Sequence, residues 1–304
     1  MTTAKTPLQT GSEPSNPTAG ARKLLIGLIG SGIQRSLTPA MQEEEARAQG
    51  LRLHYQLIDL AARGLGTEAL PGLLDAVRTI GFAGLNITYP CKQAVIPLLD
   101  ELSDEARVMG AVNTVVHQGG RLVGHNTDGP GWRWGFERAL PRADLGRVVL
   151  LGAGGAGSAI AHTVMRMGAA RLLLVDPDVE RARHLARELE SRYGAARASG
   201  TSDAAAAMRD ATGLIHATPT GMDKLPGMPL PAELLQPTLW VSEVVYFPLE
   251  TALLTAARAC GCRVADGGGM AVGQAIHAFE LFTGLRAEPA RMDAHFRRLV
   301  ASRN

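Results

Sequence analysis

Three clusters of polar residues lie where predicted strands end in the first half of the chain. They are Ser36-Leu-Thr38-Pro39, Asn86-Ile-Thr88-Tyr-Pro90-Cys-Lys92, and Asn113 with Asn126-Thr-Asp128. Pro39 and Pro90 are typical of helix starts, so the residues before them are expected in loops or caps that can face a cleft. Alternation along a strand places Asn86 and Thr88 on one face. Together these hydroxyls, amides, lysine and carboxylate could bind a polar molecule and transfer protons.

Each of these residues also has a purely structural interpretation. Thr38 could cap the helix that follows it, a contribution of about 1 kcal/mol, and Asn86 and Asn113 could simply hold loops together. Lys92 could be a solvated lysine, which is the usual environment of this residue. A cation in the first turn of a helix gains nothing from the helix dipole, however, so a place in a site is the better interpretation of Lys92.

The strongest local motif follows an apolar run at residues 148–151 and leads into a helical pattern at 158–167. It fits G-x-G-x-x-G and consists of Gly152, Ala153, Gly154, Gly155, Ala156 and Gly157. The first glycine permits a tight turn, the second lets backbone amides approach a pyrophosphate, and the third allows the helix to pack closely on the sheet. The motif therefore predicts a dinucleotide site at a helix N-terminus.

An acidic residue, Asp176, ends the next predicted strand. A carboxylate there accepts hydrogen bonds from a ribose 2′-hydroxyl and repels a 2′-phosphate, so the sequence favours NAD over NADP. Arg181 and Arg183 follow within a turn and could meet a phosphate, which keeps NADP open as an alternative. Asp176 or Asp178 could also cap the helix that begins here.

The elements that must position these residues are short apolar runs alternating with helical patterns, which is typical of α/β architecture. In the first half we predict strands at 24–29, 53–58 and 83–88, a hairpin at 111–117 and 121–125, and helices at 39–48, 66–80, 94–99, 104–109 and 131–140. In the second half we predict strands separated by helices, at 148–151, 172–175, 213–217, 239–244 and 263–265. Two helices, at 271–283 and 289–302, end the chain.

This order predicts a two-domain α/β protein. Residues 21–125 together with 271–304 form an N-terminal α/β substrate domain, and residues 126–270 form a Rossmann-type, doubly wound nucleotide domain. Residues 1–20 are rich in Thr, Ser, Pro and Gly and are predicted to be a disordered tail. A site between the two domains is expected, since clefts of this kind commonly bind small molecules.

The composition is that of an ordinary globular protein. Of 304 residues, 46% are hydrophobic and 20% charged, and the net charge of +2 gives no reason to expect nucleic acid or an anionic membrane as a partner. The apolar run at 24–29 is too short to span a bilayer and no cleavage pattern follows it, so we expect a cytoplasmic protein. Three cysteines and scattered histidines form no ligand pattern, so we expect no metal site.

The motifs occur in the order typical of the shikimate/quinate dehydrogenase family, and the chain resembles that family from about residue 24 to residue 298. Besides the polar clusters and the glycine loop, the resemblance rests on Gly110-Ala-Val-Asn113-Thr, Gly124-His-Asn126-Thr-Asp128-Gly, Ala217-Thr-Pro219-Thr-Gly221-Met222, Val245-Tyr246-Phe-Pro248 and Gly269-Met270-Ala-Val-Gly-Gln274-Ala. It implies an NAD(P)-dependent oxidoreductase that acts on a CH–OH group of a hydroxylated ring carboxylate, quinate or shikimate.

The resemblance also implies roles for individual residues. Lys92 and Asp128 would be the catalytic pair that handles the proton while the cofactor exchanges the hydride; we treat them as coupled, and which of them finally accepts the proton stays open. The substrate would be bound by Ser36, Thr38, Asn86, Thr88, Asn113, Tyr246 and Gln274. The cofactor would be bound by the glycine loop and by Asp176, Arg181, Thr218, Pro219, Val245, Gly267 and Met270.

Some residues depart from the pattern of typical biosynthetic shikimate dehydrogenases. Thr38 stands where those enzymes have Ser, Asp176-Pro-Asp178 replaces a basic Asn-Arg-Thr, His216 replaces Asn and Glu243 replaces Asp. Thr38 with the acidic ribose site resembles the NAD-using quinate/shikimate branch, which serves quinate catabolism. The alternatives are an NADP-dependent biosynthetic shikimate dehydrogenase, a dehydrogenase of an aminoshikimate or folate-like substrate, and a non-catalytic metabolite-sensing relative. The protein could be a monomer or a homodimer.

Overall fold

Two six-stranded sheets follow one another along the chain in the computed structural model, which describes residues 22–303. The tail predicted to be disordered, residues 1–20, lies outside the described residues. Helices flank both sheets, so the predicted two-domain α/β class is confirmed. Among residues 22–303, no helix combines the length and the apolar character needed to cross a membrane.

The first sheet has the strand order β2-β1-β3-β5-β6-β4. β1 runs parallel to β2 and β3, whereas β5 pairs antiparallel with both β3 and β6. The elements of this half are β1 (Lys23–Gly30), α1 (Thr38–Ala48), β2 (Arg52–Asp59), α2 (Leu70–Ile80), β3 (Gly84–Ile87), α3 (Cys91–Ala94), β4 (Glu101–Leu102), α4 (Asp104–Met109), β5 (Thr114–Gln118) and β6 (Arg121–His125).

The second sheet is entirely parallel and has the strand order β12-β11-β10-β7-β8-β9. The chain builds outward from β7 to β9 and then returns to β10 on the other side of β7. This reversal is the switch point at which doubly wound sheets bind ligands. The strands are β7 (Arg147–Leu151), β8 (Arg171–Val175), β9 (Ala198–Thr201), β10 (Gly213–His216), β11 (Trp240–Glu243) and β12 (Arg263–Ala265).

Seven helices accompany the second sheet or close the chain within the described residues. They are α5 (Asp128–Ala139), α6 (Gly155–Arg166), α7 (Val179–Tyr193), α8 (Ala204–Met208), α9 (Ala252–Ala259), α10 (Gly268–Thr283) and α11 (Pro289–Ala301). The strand β7 shows how the sheet is covered. Val148 and Leu150 pack with residues of α6 and α7, while Val149 and Leu151 pack on the opposite face with residues of α9. This alternation buries both faces, as a parallel sheet requires.

Several predictions of local structure are wrong, each for a physical reason. Between β10 and β11 there is no α-helix but one 3₁₀ turn (Ala232–Leu234), because this proline-rich stretch lacks the N–H groups that a helix needs. The helix predicted at 131–140 begins at Asp128, since Pro130 is tolerated in a first turn. Thr38 is the first residue of α1 and not its cap; Leu37 holds the cap position without a side-chain hydrogen bond.

The helices α5 and α10 cross with their backbones in direct contact. A Cβ atom added to Gly131 would lie 2.7 Å from the Cα of Gln274, and one added to Gly135 would lie 2.5 Å from the carbonyl carbon of Gly269. Real side chains never come so close, so glycine is required on this seam. The seam joins Asp128, the first residue of α5, to the helix that carries Gln274.

Candidate active site

Lys92 and Asp128, which lie on different elements, meet in an ion pair. Lys92 Nζ, on the short helix α3, donates to Asp128 Oδ2 at 2.5 Å, and the two side chains are only 22% and 6% exposed. Asp128 is the first residue of α5, where the helix dipole favours a negative charge. Its second oxygen, Oδ1, accepts a hydrogen bond from the Asn113 amide at 2.8 Å. The carboxylate is therefore fixed from two sides.

An amide network lies behind this pair. Asn113 uses both amide hydrogens, on Asp128 and on Thr127 Oγ1 at 2.9 Å, while its oxygen accepts the Thr127 N–H at 2.8 Å. Asn86 accepts from the Tyr55 hydroxyl at 2.7 Å and donates to Thr114 Oγ1 at 3.0 Å. Both asparagines are buried. In this structure Asn113 thus orients the carboxylate of Asp128, and Tyr55 orients Asn86.

The loop that carries Ser36 follows β1 and is held by Asp59. Asp59 Oδ1 accepts the Gly32 N–H at 2.9 Å, and Oδ2 accepts the Ile33 N–H and the Gln34 amide, each at 3.1 Å. Burial on its own would raise the pKa of Asp59, but these hydrogen bonds outweigh it and hold the pKa below its usual value. The loop delivers Ser36 to the start of α1, where Ser36 Oγ accepts the Thr38 N–H at 3.3 Å.

Thr88 approaches the same loop from the end of β3. A Cβ atom on Gly30 would collide with the Thr88 methyl group, and the Ser31 N–H donates to the Tyr89 carbonyl at 2.9 Å. The two chain segments that carry the predicted hydroxyl donors are therefore in contact at the carboxyl edge of the first sheet. The packing explains why residue 30 is glycine.

The glycine loop lies against Lys92. Gly152 has a φ of +97°, a conformation that favours glycine, and α6 begins at Gly155 with its N–H groups directed into the loop. A Cβ atom on Gly155 would lie 3.9 Å from Lys92 Cδ, whereas one on Gly154 would meet nothing within 4 Å. The open backbone at Gly154 fits the approach of a pyrophosphate. The predicted proton-transfer and nucleotide residues therefore form one site.

A cavity of about 520 Å³ continues from this loop between α6, α7 and the end of α4. It is lined by Gln93 and Met109 of the first half and by Gly154, Ser158 and Arg181 of the second half, among others. The cavity therefore lies between the two halves of the molecule, where the sequence predicts a cleft.

The acidic residues after β8 have separate structural tasks. Asp178 caps α7 by accepting the Arg181 N–H at 3.2 Å. Asp176 is buried; its Oδ2 accepts the Ala153 N–H of the glycine loop at 2.8 Å, and its Oδ1 accepts the Asp178 N–H at 2.9 Å. Arg181 lies near both acids, 3.7 Å from Asp176 and 3.2 Å from Asp178. The capping alternative thus applies to Asp178, while Asp176 faces the nucleotide loop.

The other residues that were predicted to bind the substrate or the cofactor follow two strands of the second sheet or lie at the start of α10 and along it. Thr218 and Pro219 follow β10, Val245 and Tyr246 follow β11, and the half-buried Gln274 lies on α10, whose cap is Gly267 and whose first turn holds Met270. Tyr246 is 38% exposed, with its ring centre 6.3 Å from that of Phe296. Residues that follow two neighbouring strands of the second sheet therefore lie beside the start of α10.

The sequence interpretation missed several residues that hold the site together. Asp59 and Tyr55 were not singled out, although Asp59 directly follows the strand predicted at 53–58, which is where such anchors occur. His216 and Glu243 were noted only as departures from a family pattern, yet they form a fully buried hydrogen-bonded pair, with His216 Nδ1 2.8 Å from Glu243 Oε1. Two polar residues at the ends of neighbouring apolar strands were the available signal.

Comparison with known proteins gives consistent matches over nearly the whole chain. A family model described as the shikimate dehydrogenase substrate binding domain matches residues 28–115. A relative from Streptomyces avermitilis, named shikimate dehydrogenase (NADP(+)), is 55% identical over 280 residues, which is 91% of this chain and 96% of that protein. One from Corynebacterium efficiens, named quinate/shikimate dehydrogenase (NAD(+)), is 47% identical over 279 residues, which is 90% of this chain and 97% of that protein.

A solved structure also matches nearly the whole chain. Quinate dehydrogenase from Corynebacterium glutamicum, in complex with NAD, is 45% identical and superimposes with a TM-score of 0.84, covering 91% of this chain and 99% of that one. These matches confirm the resemblance stated from the sequence. The names of the two relatives differ in the cofactor: NADP(+) for the Streptomyces avermitilis protein and NAD(+) for the Corynebacterium efficiens protein.

Proposed function

Because the chain belongs to the shikimate dehydrogenase family of nicotinamide-dependent oxidoreductases, we propose that it interconverts quinate with 3-dehydroquinate, shikimate with 3-dehydroshikimate, or both, using NAD. The observation that carries this proposal is the Lys92–Asp128 ion pair lying against Gly155 of the glycine loop. A proton-transfer pair and a dinucleotide loop in contact are what alcohol oxidation requires.

The reaction divides between the cofactor and the chain. The chemistry that bound NAD would supply is acceptance of the hydride from the ring carbon that carries the hydroxyl group. In that direction the hydroxyl proton leaves to the Lys92–Asp128 pair, and a C=O bond forms as the C–H bond breaks. In the reverse direction the Lys92 ammonium donates a proton to the ketone oxygen. Asp128 holds Lys92 in place for both directions, because its other oxygen is fixed by Asn113.

The substrate carboxylate would lie at the start of α1. Ser36 and Thr38 offer hydroxyl donors there, and the N-terminus of this eleven-residue helix favours a negative charge. Thr88, which contacts the same loop, would bind a ring hydroxyl, and Asn86 and Gln274 would complete the set, with Tyr246 near the carboxylate. Asn113 would act on the substrate through Asp128, to which it donates. We also propose the division into a substrate domain (21–125 with 271–304) and a nucleotide domain (126–270).

The choice of NAD rests on Asp176. Its two oxygens each accept one backbone N–H and keep further lone pairs for ribose hydroxyls, while its charge repels a 2′-phosphate. Arg181, the residue that would otherwise attract a phosphate, lies beside Asp178 and Asp176. The second candidate is an NADP-dependent shikimate dehydrogenase, favoured by the exposed position of Arg181 and by the name of the Streptomyces avermitilis relative.

Steady-state kinetics with two acids and two cofactors tests the proposal. We expect kcat/KM to be higher with NAD than with NADP for both quinate and shikimate, measured by the absorbance of the reduced nicotinamide. A strong preference for NADP with shikimate alone would favour the second candidate. Tight binding of the acids without turnover by any combination would contradict an enzymatic function and favour a sensor.

A further inference from the structure

A buried pair of polar residues, His216 and Glu243, lies beneath the loops at the far end of the nucleotide site. They are the last residues of β10 and β11 and are directly paired in the register of these strands. His216 also pairs with Leu151, the residue before the glycine loop. Both side chains are fully buried. Burying such polar side chains is costly unless their polar atoms have hydrogen-bond partners. The hydrogen bonds of His216 and Glu243 therefore indicate their role.

Glu243 is surrounded by hydrogen-bond donors. Oε1 accepts the N–H groups of Val244 and Val245 at 2.8 and 2.9 Å, and Oε2 accepts the Thr251 hydroxyl at 3.0 Å. The carboxylate therefore has only the role of an acceptor, and the His216 Nδ1 atom, 2.8 Å away, must carry a hydrogen. Through these bonds Glu243 fixes both the His216 ring and the backbone that follows β11.

The other ring nitrogen reaches the loop that follows β10. His216 Nε2 lies 2.5 Å from Thr218 Oγ1, and the Thr220 N–H donates to the same oxygen at 3.3 Å. With the hydrogen on Nδ1, Nε2 accepts the Thr218 O–H. The Thr218 oxygen then has its hydrogen and one lone pair in use and one lone pair left, so it can only accept a further hydrogen bond.

From this geometry we propose that His216 and Glu243 are positioning residues that hold the Thr218 hydroxyl as a hydrogen-bond acceptor for the carboxamide N–H₂ of bound NAD. The inference rests on the proposed function, because it assumes that the nicotinamide lies between the loops after β10 and β11. Glu243 aligns the second of these loops at the same time, through Val244 and Val245. The pair would thus orient the nicotinamide end of the cofactor without touching it.

Comparing the Kd values of two ligands, NADH and ADP-ribose, distinguishes this positioning role from a purely structural one. NADH contains the carboxamide, whereas ADP-ribose shares the adenosine and pyrophosphate parts but lacks the nicotinamide. For Thr218→Val, which keeps the shape of the side chain, we expect the Kd of NADH to rise about tenfold, equivalent to about 1.4 kcal/mol, and the Kd of ADP-ribose to stay unchanged. His216→Asn should show the same pattern, because the shorter side chain cannot reach both partners.

The matched control is His162→Asn, since His162 is also a buried histidine of the second half but lies on α6, with its Nδ1 near Tyr193. It should leave the ratio of the two affinities unchanged. Equal losses for both ligands in Thr218→Val, or an unchanged NADH affinity, would overturn the inference. If the unaltered protein binds neither ligand, the proposed function itself fails.

The tautomer of His216 gives a readout that needs no cofactor. In ¹⁵N-labelled protein, the imidazole whose signals vanish in His216→Asn should carry its hydrogen on Nδ1 alone. Hydrogens on both nitrogens would overturn the acceptor role of Thr218, because Nε2 would then donate to Thr218 and the hydroxyl would have to donate outward. In turnover, Thr218→Val should raise the KM for NAD while leaving the KM for the ring acid unchanged.

Discussion

At the residue scale, the spacing of motifs predicted which side chains matter but not how they share their hydrogen bonds. Lys92 and Asp128 lie 36 residues apart and meet only because β3 and β6 end at the same edge of one sheet. Asn113 was expected to bind a ring hydroxyl, yet its amide hydrogens are used on Asp128 and Thr127. The sequence does not reveal such an arrangement, since it depends on side-chain rotamers.

Replacing Lys92 tests the proton-transfer pair. We expect Lys92→Met, which removes the ammonium and keeps an unbranched chain, to lower kcat by about 10²- to 10⁴-fold, the usual contribution of general acid–base catalysis. The KM for NAD should change little. Lys23→Met, at the exposed start of β1, is the control and should retain the original kcat. Full kcat in a folded Lys92→Met protein would refute the assigned role.

Replacing Asp176 tests the choice of cofactor. Asp176→Asn keeps an oxygen that can accept the Ala153 N–H but removes the charge that repels a 2′-phosphate. We expect the ratio of kcat/KM for NADP to that for NAD to rise by about tenfold or more. Asp203→Asn, at the exposed cap of α8, is the control and should leave the ratio nearly unchanged. An unchanged ratio in Asp176→Asn would mean that other residues select the cofactor.

At the scale of elements, the strands were predicted well where they are apolar and poorly where they are not. The runs at 24–29 and 148–151 match β1 and β7 within a residue or two. β9 (Ala198–Thr201) was not predicted, because Ala-Ser-Gly-Thr has no apolar alternation and takes its strand form from pairing with β8. The start of α10 was placed three residues late, since three consecutive glycines are typical of a loop.

The loop between β1 and α1 depends on one carboxylate, and its replacement tests that dependence. Asp59→Asn replaces one of the two acceptor oxygens with an NH₂ group, so either the Gly32 N–H or the Ile33 N–H loses its acceptor. We expect the KM for the ring acid to rise, since the loop carries Ser36, and the KM for NAD to stay constant. Asp75→Asn, an exposed residue of α2, is the control. A constant KM for both substrates would show that the loop does not need this anchor.

Asp59 should also make stability depend on pH. Its pKa is lower in the folded protein than in the unfolded chain, so its stabilising effect is complete above the unfolded pKa of about 4 and is lost as the pH falls through the lower, folded value. We therefore expect the free energy of unfolding of Asp59→Asn to approach that of the unaltered protein in acid. Urea titrations at several pH values measure this; a difference that stays constant below pH of about 4 would contradict it.

At the scale of the whole molecule, the glycine seam between α5 and α10 brings the parts of the site together. Gly131→Ala would place a methyl group against the backbone N of Gln274 and 2.7 Å from its Cα atom, and this backbone cannot move aside. We expect a loss of about 1–3 kcal/mol in the free energy of unfolding and a lower kcat, because α5 begins with Asp128.

A glycine in open space provides the control for this substitution. Gly72, within α2, has nothing within 4 Å of an added Cβ, so Gly72→Ala should stabilise the protein by about 0.5–1 kcal/mol. Chemical denaturation of both variants compares the two glycines. Equal stability in Gly131→Ala and the unaltered protein would mean that the helices can separate without cost.

The path of α10 has a further consequence for how the molecule melts. Near its start, a Cβ atom on Gly267 would lie 2.5 Å from the Val244 carbonyl of the second half, and near its end Phe282 packs against Gly84 of the first. Neither half can lose its fold without disrupting this helix. In a calorimeter the two sheets should therefore absorb heat in one endotherm, with equal calorimetric and van 't Hoff enthalpies. A ligand bound to the second sheet alone would then raise the Tm of the first as well.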